Sequence, residues 1–346
     1  MKKFEGYMYG IDFGGWLSQC DHTKERYDTF ITAEDFKRVK YWGLDHVRVP
    51  VDYELVENKD GSYIEEGFAY IDFAIRECEK NGLNMILDLH KTFGYSFDEG
   101  YGEEGFFENE AYQERFYRLW EEFAKRYGKL SDRLCFELLN EVTKKEYSDI
   151  WNDIAKKCVE RIRKYAPDMR IVYGGYFNNS IAALKDLALP FDDKIVYTFH
   201  CYEPLIFTHQ GAYWIPTMDT SFRMPFESSY KEYDKYIEAQ LGQYFEKMEA
   251  YDSESVIDIE YFEKLIEEAV RIADERNVAL YCGEFGVIDL ASCEDALKWY
   301  RMICKCFDKA GIARSAWNYK EMDFGLIDDH MKPVVGDVIN AIAGRL

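Results

Sequence analysis

Two short runs in this sequence each carry an apolar, strand-like stretch to a glutamate. They are Phe136-Glu137-Leu138-Leu139-Asn140-Glu141 and Leu280-Tyr281-Cys282-Gly283-Glu284-Phe285-Gly286. A carboxylate placed where a buried strand stops is costly unless a partner or a shifted pKa compensates for its desolvation. Occurring twice, the pattern reads as the acid/base and the nucleophile of a sugar-cleaving enzyme. Taken singly, each glutamate could instead cap the following helix or answer a local arginine. The ends of the other strand-like runs weigh against that reading, because they collect Arg48, His90, Asn140 beside Glu141, His200 with Tyr202, and Trp317 with Asn318. One at a time these read as an ion pair, satisfied core histidines or packing aromatics. Together they would have to gather at one end of eight strands by chance, and the opposite ends carry no comparable set.

Apolar runs with strand character alternate with amphipathic segments from end to end, the mark of a parallel α/β fold. The strand-like runs span 8–13, 46–50, 84–90, 134–140, 170–174, 195–200, 279–284 and 312–318; helical periodicity covers 33–42, 70–81, 111–127, 150–165, 261–276 and 294–310. Gly43, Gly82 and Gly311 stand where helix ends call for a left-handed residue. Eight such units predict a closed (β/α)8 TIM barrel with its site on the C-terminal rim of the strands. An open doubly wound sheet would show a glycine-rich phosphate turn after an early strand. Here Gly14-Gly15-Trp16 lacks the GxGxxG spacing and puts an indole where a phosphate needs room. The expected organisation is one catalytic domain over 1–346. Two long connections, 91–109 and 203–259, exceed what a barrel needs. The second has helical periodicity over 230–250 and reads as a small inserted subdomain after the sixth strand, with 252–259 as a solvated acidic hinge.

Composition narrows the partners. A net charge of −22 over 346 residues repels nucleic acid and anionic lipid, so a neutral substrate fits better. Aromatic residues make up 17% of the chain, and rings that do not fill the core can stack on the apolar faces of sugars. No run of 18 apolar residues is present. The nine cysteines are scattered without CxxC spacing and read as reduced thiols. With no apolar leader at the first residues, a cytoplasmic location is expected of the sequence as it stands, and a secreted one if a signal has been removed. No cofactor and no metal are expected, since His90 and His200 lack HxH or HExxH spacing and Asn58-Lys59-Asp60-Gly61 lacks the alternating ligands of a calcium loop. A monomer is expected.

The set HVRVP, LDLH, LLNE, YTFHCYEP, YCGEFGV and AWNYK resembles glycoside hydrolase family 5 over almost the whole chain. The resemblance implies a retaining endo-β-glucanase acting on β-1,4 or mixed β-1,3/1,4-glucan, with Glu141 as general acid/base and Glu284 as nucleophile. It places Arg48 and the Tyr202 hydroxyl against the nucleophile and His200 beside the acid. It also implies Asn140 on the sugar 2-hydroxyl, Trp317 as the stacking floor and His90 on the hydroxyls of that sugar. Trp16, Trp214 and Phe207 are candidates for flanking subsites. One departure is the Lys91-Thr92-Phe93-Gly94 run after His90, where many relatives carry a second histidine or Ala-Pro-Gly. The alternatives are another family 5 specificity (β-mannanase, β-1,3-glucanase or xyloglucanase), a non-catalytic carbohydrate-binding barrel and a metal-dependent barrel hydrolase. Were Glu141 structural, the proton donor would be sought among Glu137, Glu203 and Asp323.

Overall fold

Eight parallel strands pair in sequence order and close on themselves: β1 Tyr9–Asp12, β2 His46–Asp52, β3 Asn84–Lys91, β4 Leu134–Glu137, β5 Arg170–Tyr173, β6 Ile195–His200, β7 Ala279–Glu284 and β8 Ala313–Ala316. The protein is seen in a computed structural model that describes residues 1–98, 104–242, 248 and 252–345. Parts of both long connections fall outside the described residues. Closure pairs Gly10 of β1 with Ser315 of β8, and just beyond the strands Gly14 and Asn318 exchange two hydrogen bonds at 2.9 and 3.1 Å. The (β/α)8 TIM barrel expected from the alternation is therefore what the chain forms.

The outer helices Ala33–Tyr41, Glu65–Asn81, Glu110–Tyr127, Ser148–Ile162, Ile259–Arg276 and Cys293–Ala310 pack their apolar faces on the strands. Side-chain caps start several of them, with Asn109, Asp258 and Ser292 each accepting from a first-turn amide. Gly82 and Gly311 end theirs in the left-handed region. The helix expected over 70–81 begins earlier, at Glu65, because Gly67 lets its first turn lie on the preceding segment. A Cβ at Gly67 would sit 1.7 Å from the Leu55 carbonyl oxygen.

Side chains alternate across each strand, so the barrel interior is built in layers. Ile86, Cys135, Val172, Val196, Ala279, Tyr281 and Ala313 fill the lower interior, sealed from below by Phe4 and Tyr7. One step of the alternation further up stand Arg48, Asp88, Glu137, Thr198 and Ser315, all buried. The interior thus changes from apolar to ionised within one layer, directly under the rim.

Two strands stop two or three residues short of the expectation, while β2 runs two further, to Asp52. Beyond Glu137 the chain leaves the ladder but stays bonded to both neighbours, Leu138 N–H to the Val172 carbonyl and Asn140 N–H to the Leu89 carbonyl. β8 likewise stops at Ala316. Between β6 and the helix Ile259–Arg276 the described residues include a capped helix, Tyr230–Gln240, that buries Tyr230, Tyr233 and Ile237. The acidic stretch 252–259 is not a free hinge: Tyr230 and Lys231 donate their amides to the carbonyls of Ser255 and Ser253, and Ile257 donates to Ser228. All nine cysteines are free thiols, seven of them buried. No helix among the described residues is long and apolar enough to cross a membrane.

Candidate active site

Arg48, fully buried on β2, organises the rim. Its Nε and Nη2 donate to the two oxygens of Glu137 at 2.7 and 3.0 Å, and Nη1 donates to Glu284 Oε1 at 2.8 Å. Nη2 also reaches Asn140 Oδ1 at 2.9 Å and Asp88 at 3.0 Å, while Asp12 stands 3.6 Å from Nη1. One guanidinium cannot neutralise four carboxylates. Burial, opposed by Arg48, accordingly holds the carboxyls of Asp12 and Glu137 above their ordinary range. Arg48→Met should cost about 3–5 kcal/mol of folding free energy, because Asp88, Glu137 and Glu284 would be left without their cation in a dry interior. Urea unfolding measures this; a loss below about 1 kcal/mol would mean that protonation already neutralises the cluster.

Glu284 owes its position to an irregularity. On β7 the inward residues are Ala279, Tyr281 and Gly283, which would turn Glu284 away from the barrel. The β6–β7 register, however, runs Phe199 with Cys282 and then His200 with Glu284, skipping Gly283. This bulge brings Glu284 onto the inner rim. Its Oε1 accepts from Arg48, and its Oε2 accepts from the Tyr202 hydroxyl at 2.9 Å. Burial and the neighbouring Glu284 push the Tyr202 phenol well above its usual pKa, so it remains a donor. Both Glu284 oxygens act as acceptors, the state a nucleophile needs.

Glu141 has the opposite surroundings. It adopts φ +43, a left-handed conformation that costs a non-glycine residue on the order of 1 kcal/mol. The Tyr95 hydroxyl fixes this turn by donating to the Glu141 carbonyl at 2.7 Å and accepting from the Thr143 amide at 2.9 Å. Among the described residues no arginine touches the carboxyl. His200 Nδ1 lies 2.7 Å from Oε1 and Asn178 Nδ2 donates to Oε2 at 2.9 Å. Burial raises its pKa to about 7, with the Asn178 hydrogen bond and the nearby cations His90 and Arg48 opposing the rise. Burial lowers His200 to about 4, so that ring is neutral. One oxygen each of Glu141 and Glu284 lie within 4.8 Å of one another, and His200 Nδ1 stands 2.7 Å from Glu141 Oε1 and 3.5 Å from Glu284 Oε2.

The cleft floor joins the ends of the chain. Trp317, 6% exposed, lies parallel to the His90 ring at 5.8 Å between centroids, and a Cβ on Gly14 would be 2.4 Å from its indole. His90 Nδ1 is held by Asp88 at 2.6 Å and Phe97 meets its ring edge-on. Asn140 turns its oxygen to Arg48, leaving Nδ2 on the His90 side, 3.4 Å from Nε2. Trp214 is 41% exposed and packs near His209 and Phe324 at one side of the floor.

The flanking positions expected for Trp16 and Phe207 are corrected by burial. Both are 0% exposed. The Trp16 indole N–H donates to the Tyr27 carbonyl at 2.9 Å, and Phe207 packs on Phe226, so neither ring has a free face for a sugar. Sequence reasoning passed over Asp88, Asp12, Asn178 and Asn179. The first was legible as the residue two before His90 on the same inward face; the asparagines carry no periodic signal.

Two groups among the described residues bring three potential metal-ligating atoms within 4.8 Å of one another: Glu141, His200 and Glu284, and His22, Asp52 and Glu54. Each already holds a cation. Arg48 is on Glu284, Lys91 is on Glu54, and the Asp52 hydrogen bond raises His22 to about 10. A divalent ion would have to displace these charges.

Residues 14–323 match the family described as Cellulase (glycosyl hydrolase family 5). Over 314 residues the chain is 48% identical to Cellodextrinase A of Ruminococcus flavefaciens, covering 91% of this chain and 86% of that protein. It is 36% identical over 340 residues to Endoglucanase C of Acetivibrio thermocellus, covering 97% and 98%. Among solved structures, a hyperthermophilic endo-beta-1,4-glucanase in complex with substrate superposes with a TM-score of 0.77 at 23% identity, covering 98% of this chain and 97% of that one. At that identity the superposition speaks for the fold alone.

Proposed function

The chain belongs to glycosyl hydrolase family 5, as a glycoside hydrolase of the cellulase type, and on that premise we propose that it cleaves β-1,4-linked or mixed β-1,3/1,4-glucan with retention, Glu284 serving as nucleophile and Glu141 as acid/base. The observation that carries this reading is a pair of glutamates, one oxygen of each within 4.8 Å of the other, whose surroundings differ: Glu284 accepts from Arg48 and Tyr202, while burial lifts Glu141 to about 7. Retaining enzymes space the two carboxyls by roughly 5–5.5 Å, and inverting enzymes by roughly 6.5–9.5 Å to leave room for a water. The close spacing supports attack by Glu284 on the anomeric carbon while Glu141 protonates the departing oxygen. Glu141, now anionic, then takes a proton from the water that releases the sugar. Asn140, fixed by Arg48, is positioned for the 2-hydroxyl, where a hydrogen bond tightens as positive charge develops on the ring. Trp317 supplies the stacking floor and Trp214 a flanking ring. Likeness to a protein called a cellodextrinase and one called an endoglucanase supports a β-1,4-gluco-oligosaccharide or glucan chain as substrate.

The test is a comparison of turnover on cellopentaose, barley β-glucan, laminarin and glucomannan, with product sizing and proton NMR of the first product formed. Cellopentaose and barley β-glucan should be cleaved fastest, with the β-anomer appearing first. Initial release of the α-anomer would overturn the retaining mechanism, and faster cleavage of mannan linkages would replace the glucan specificity with a β-mannanase.

A further inference from the structure

After β5 the backbone makes an unusual turn. Phe177, Asn178 and Asn179 are left-handed in succession, with φ +49, +56 and +55. Asparagine tolerates this conformation better than most residues and phenylalanine does not, so the turn persists only because its surroundings fix it. The Asn178 amide donates to the Val142 carbonyl at 3.1 Å, the residue following Glu141, and the Asn179 amide donates to Gly175 at 3.2 Å. Gly174 leaves the space: a Cβ there would stand 2.3 Å from Asn179 Oδ1. The outcome is that two neighbouring side chains reach the same carboxyl by different routes. Asn178 Nδ2 donates to Glu141 Oε2 at 2.9 Å. Asn179 Nδ2 lies 3.3 Å from His200 Nε2; an amide N–H can only donate, so Nε2 accepts, the ring proton sits on Nδ1, and Nδ1–H donates to Glu141 Oε1.

We propose that Asn178 and Asn179 are positioning residues for the acid/base, supplying one direct and one relayed donor so that Glu141 can give up its proton in the first step and hold a carboxylate ready in the second. The proposal rests on the assignment of Glu141 made above. An acid/base must be protonated for glycosylation and ionised for deglycosylation, so its pKa must stay near the working pH. Burial alone drives it upward, and donors on both oxygens oppose that drift. Among the described residues, the other charged or titratable groups that interact with Glu141 are His200 from β6, Glu284, Tyr202, Arg48 from β2, Asp88 and His90 from β3, Tyr95 and Asp98. None of these donates to Oε2.

The test is the pH dependence of kcat/KM on cellotetraose, and of kcat on 2,4-dinitrophenyl cellobioside, for Asn178→Ala, Asn178→Asp and Asn179→Ala. The basic limb of kcat/KM should move to higher pH by roughly half to one unit in Asn178→Ala. It should move further in Asn178→Asp, where a carboxylate faces Oε2, and by less in Asn179→Ala. On the aryl substrate kcat should fall most at low pH, where the missing donors leave Glu141 protonated. A uniform loss at every pH with the limb unmoved would mean a merely structural turn and overturn the proposal. If the wild-type basic limb survives Glu141→Gln, the limb does not belong to Glu141, and the acid/base assignment falls together with this one.

Discussion

Glu284→Ala should lose on the order of 10⁴–10⁶-fold in kcat on glucan while still folding and binding the chain, because the proposed glycosyl-enzyme cannot form without the carboxylate. The fold should tolerate the change: Arg48 keeps its contacts to Glu137, Asp88 and Asn140, and the Tyr202 side chain, which loses its acceptor, is only half-buried. Azide is small enough to enter the vacated space and attack an activated substrate from the same face, giving the α-glycosyl azide. Binding isotherms, residual hydrolysis and the anomer of the azide product check this. Near-normal activity, or a β-azide, would remove Glu284 from the nucleophile role.

The second large effect depends on the leaving group. Glu141→Ala should cost on the order of 10²–10⁴-fold on natural glucan, whose sugar leaving group needs a proton. On 2,4-dinitrophenyl cellobioside the first step needs no acid, so the glycosyl-enzyme should form almost normally and then stall for want of a base. Rapid-mixing kinetics should show a burst of dinitrophenolate, and azide should restore turnover with the β-azide as product. Equal losses on both substrates, without a burst, would make Glu141 structural. Glu137 is poorly placed to stand in, since Arg48 clamps both of its oxygens. The pH profile should follow the same logic, with activity on glucan falling as pH rises through about 7, where Glu141 loses the proton it must deliver.

What could be read without coordinates was the part of the site governed by period and position. His90, His200 and Trp317 lie at strand ends and Arg48 on the inward face of β2 just below them, where alternation and the barrel architecture together assign them to one end of the barrel. Asp88 and Glu137 obey the same alternation and were within reach of it. Glu284 was identified by its place in an apolar run, although by alternation alone it faces the wrong way; the bulge at Gly283 corrects this, and bulges leave little trace in sequence. The Phe177–Asn179 turn and the burial of Trp16 and Phe207 depend on how loops cross the rim, and a single ring in a loop has no periodicity from which its exposure can be read. The start of the helix expected over 70–81 lies at Glu65 for a related reason: the place of Gly67 in its first turn appears only once the Leu55 carbonyl is known to lie against it.

The seam between β1 and β8 ties catalysis to the history of the chain. Gly14 and Asn318, separated by 304 positions, must meet before Trp317 has the neighbour that beds its indole. Glu284 and Trp317 both come late in synthesis, while Arg48 and His90, which one grips and the other lies against, come early. A polypeptide still emerging from the ribosome and lacking β8 has neither a closed barrel nor a floor, however well its first half has condensed. Pairing across so long a loop is also among the slowest contacts to form. The appearance of hydrolysis during translation or refolding therefore times the meeting of the two ends of the molecule, and an assay of cleavage doubles as a clock for ring closure.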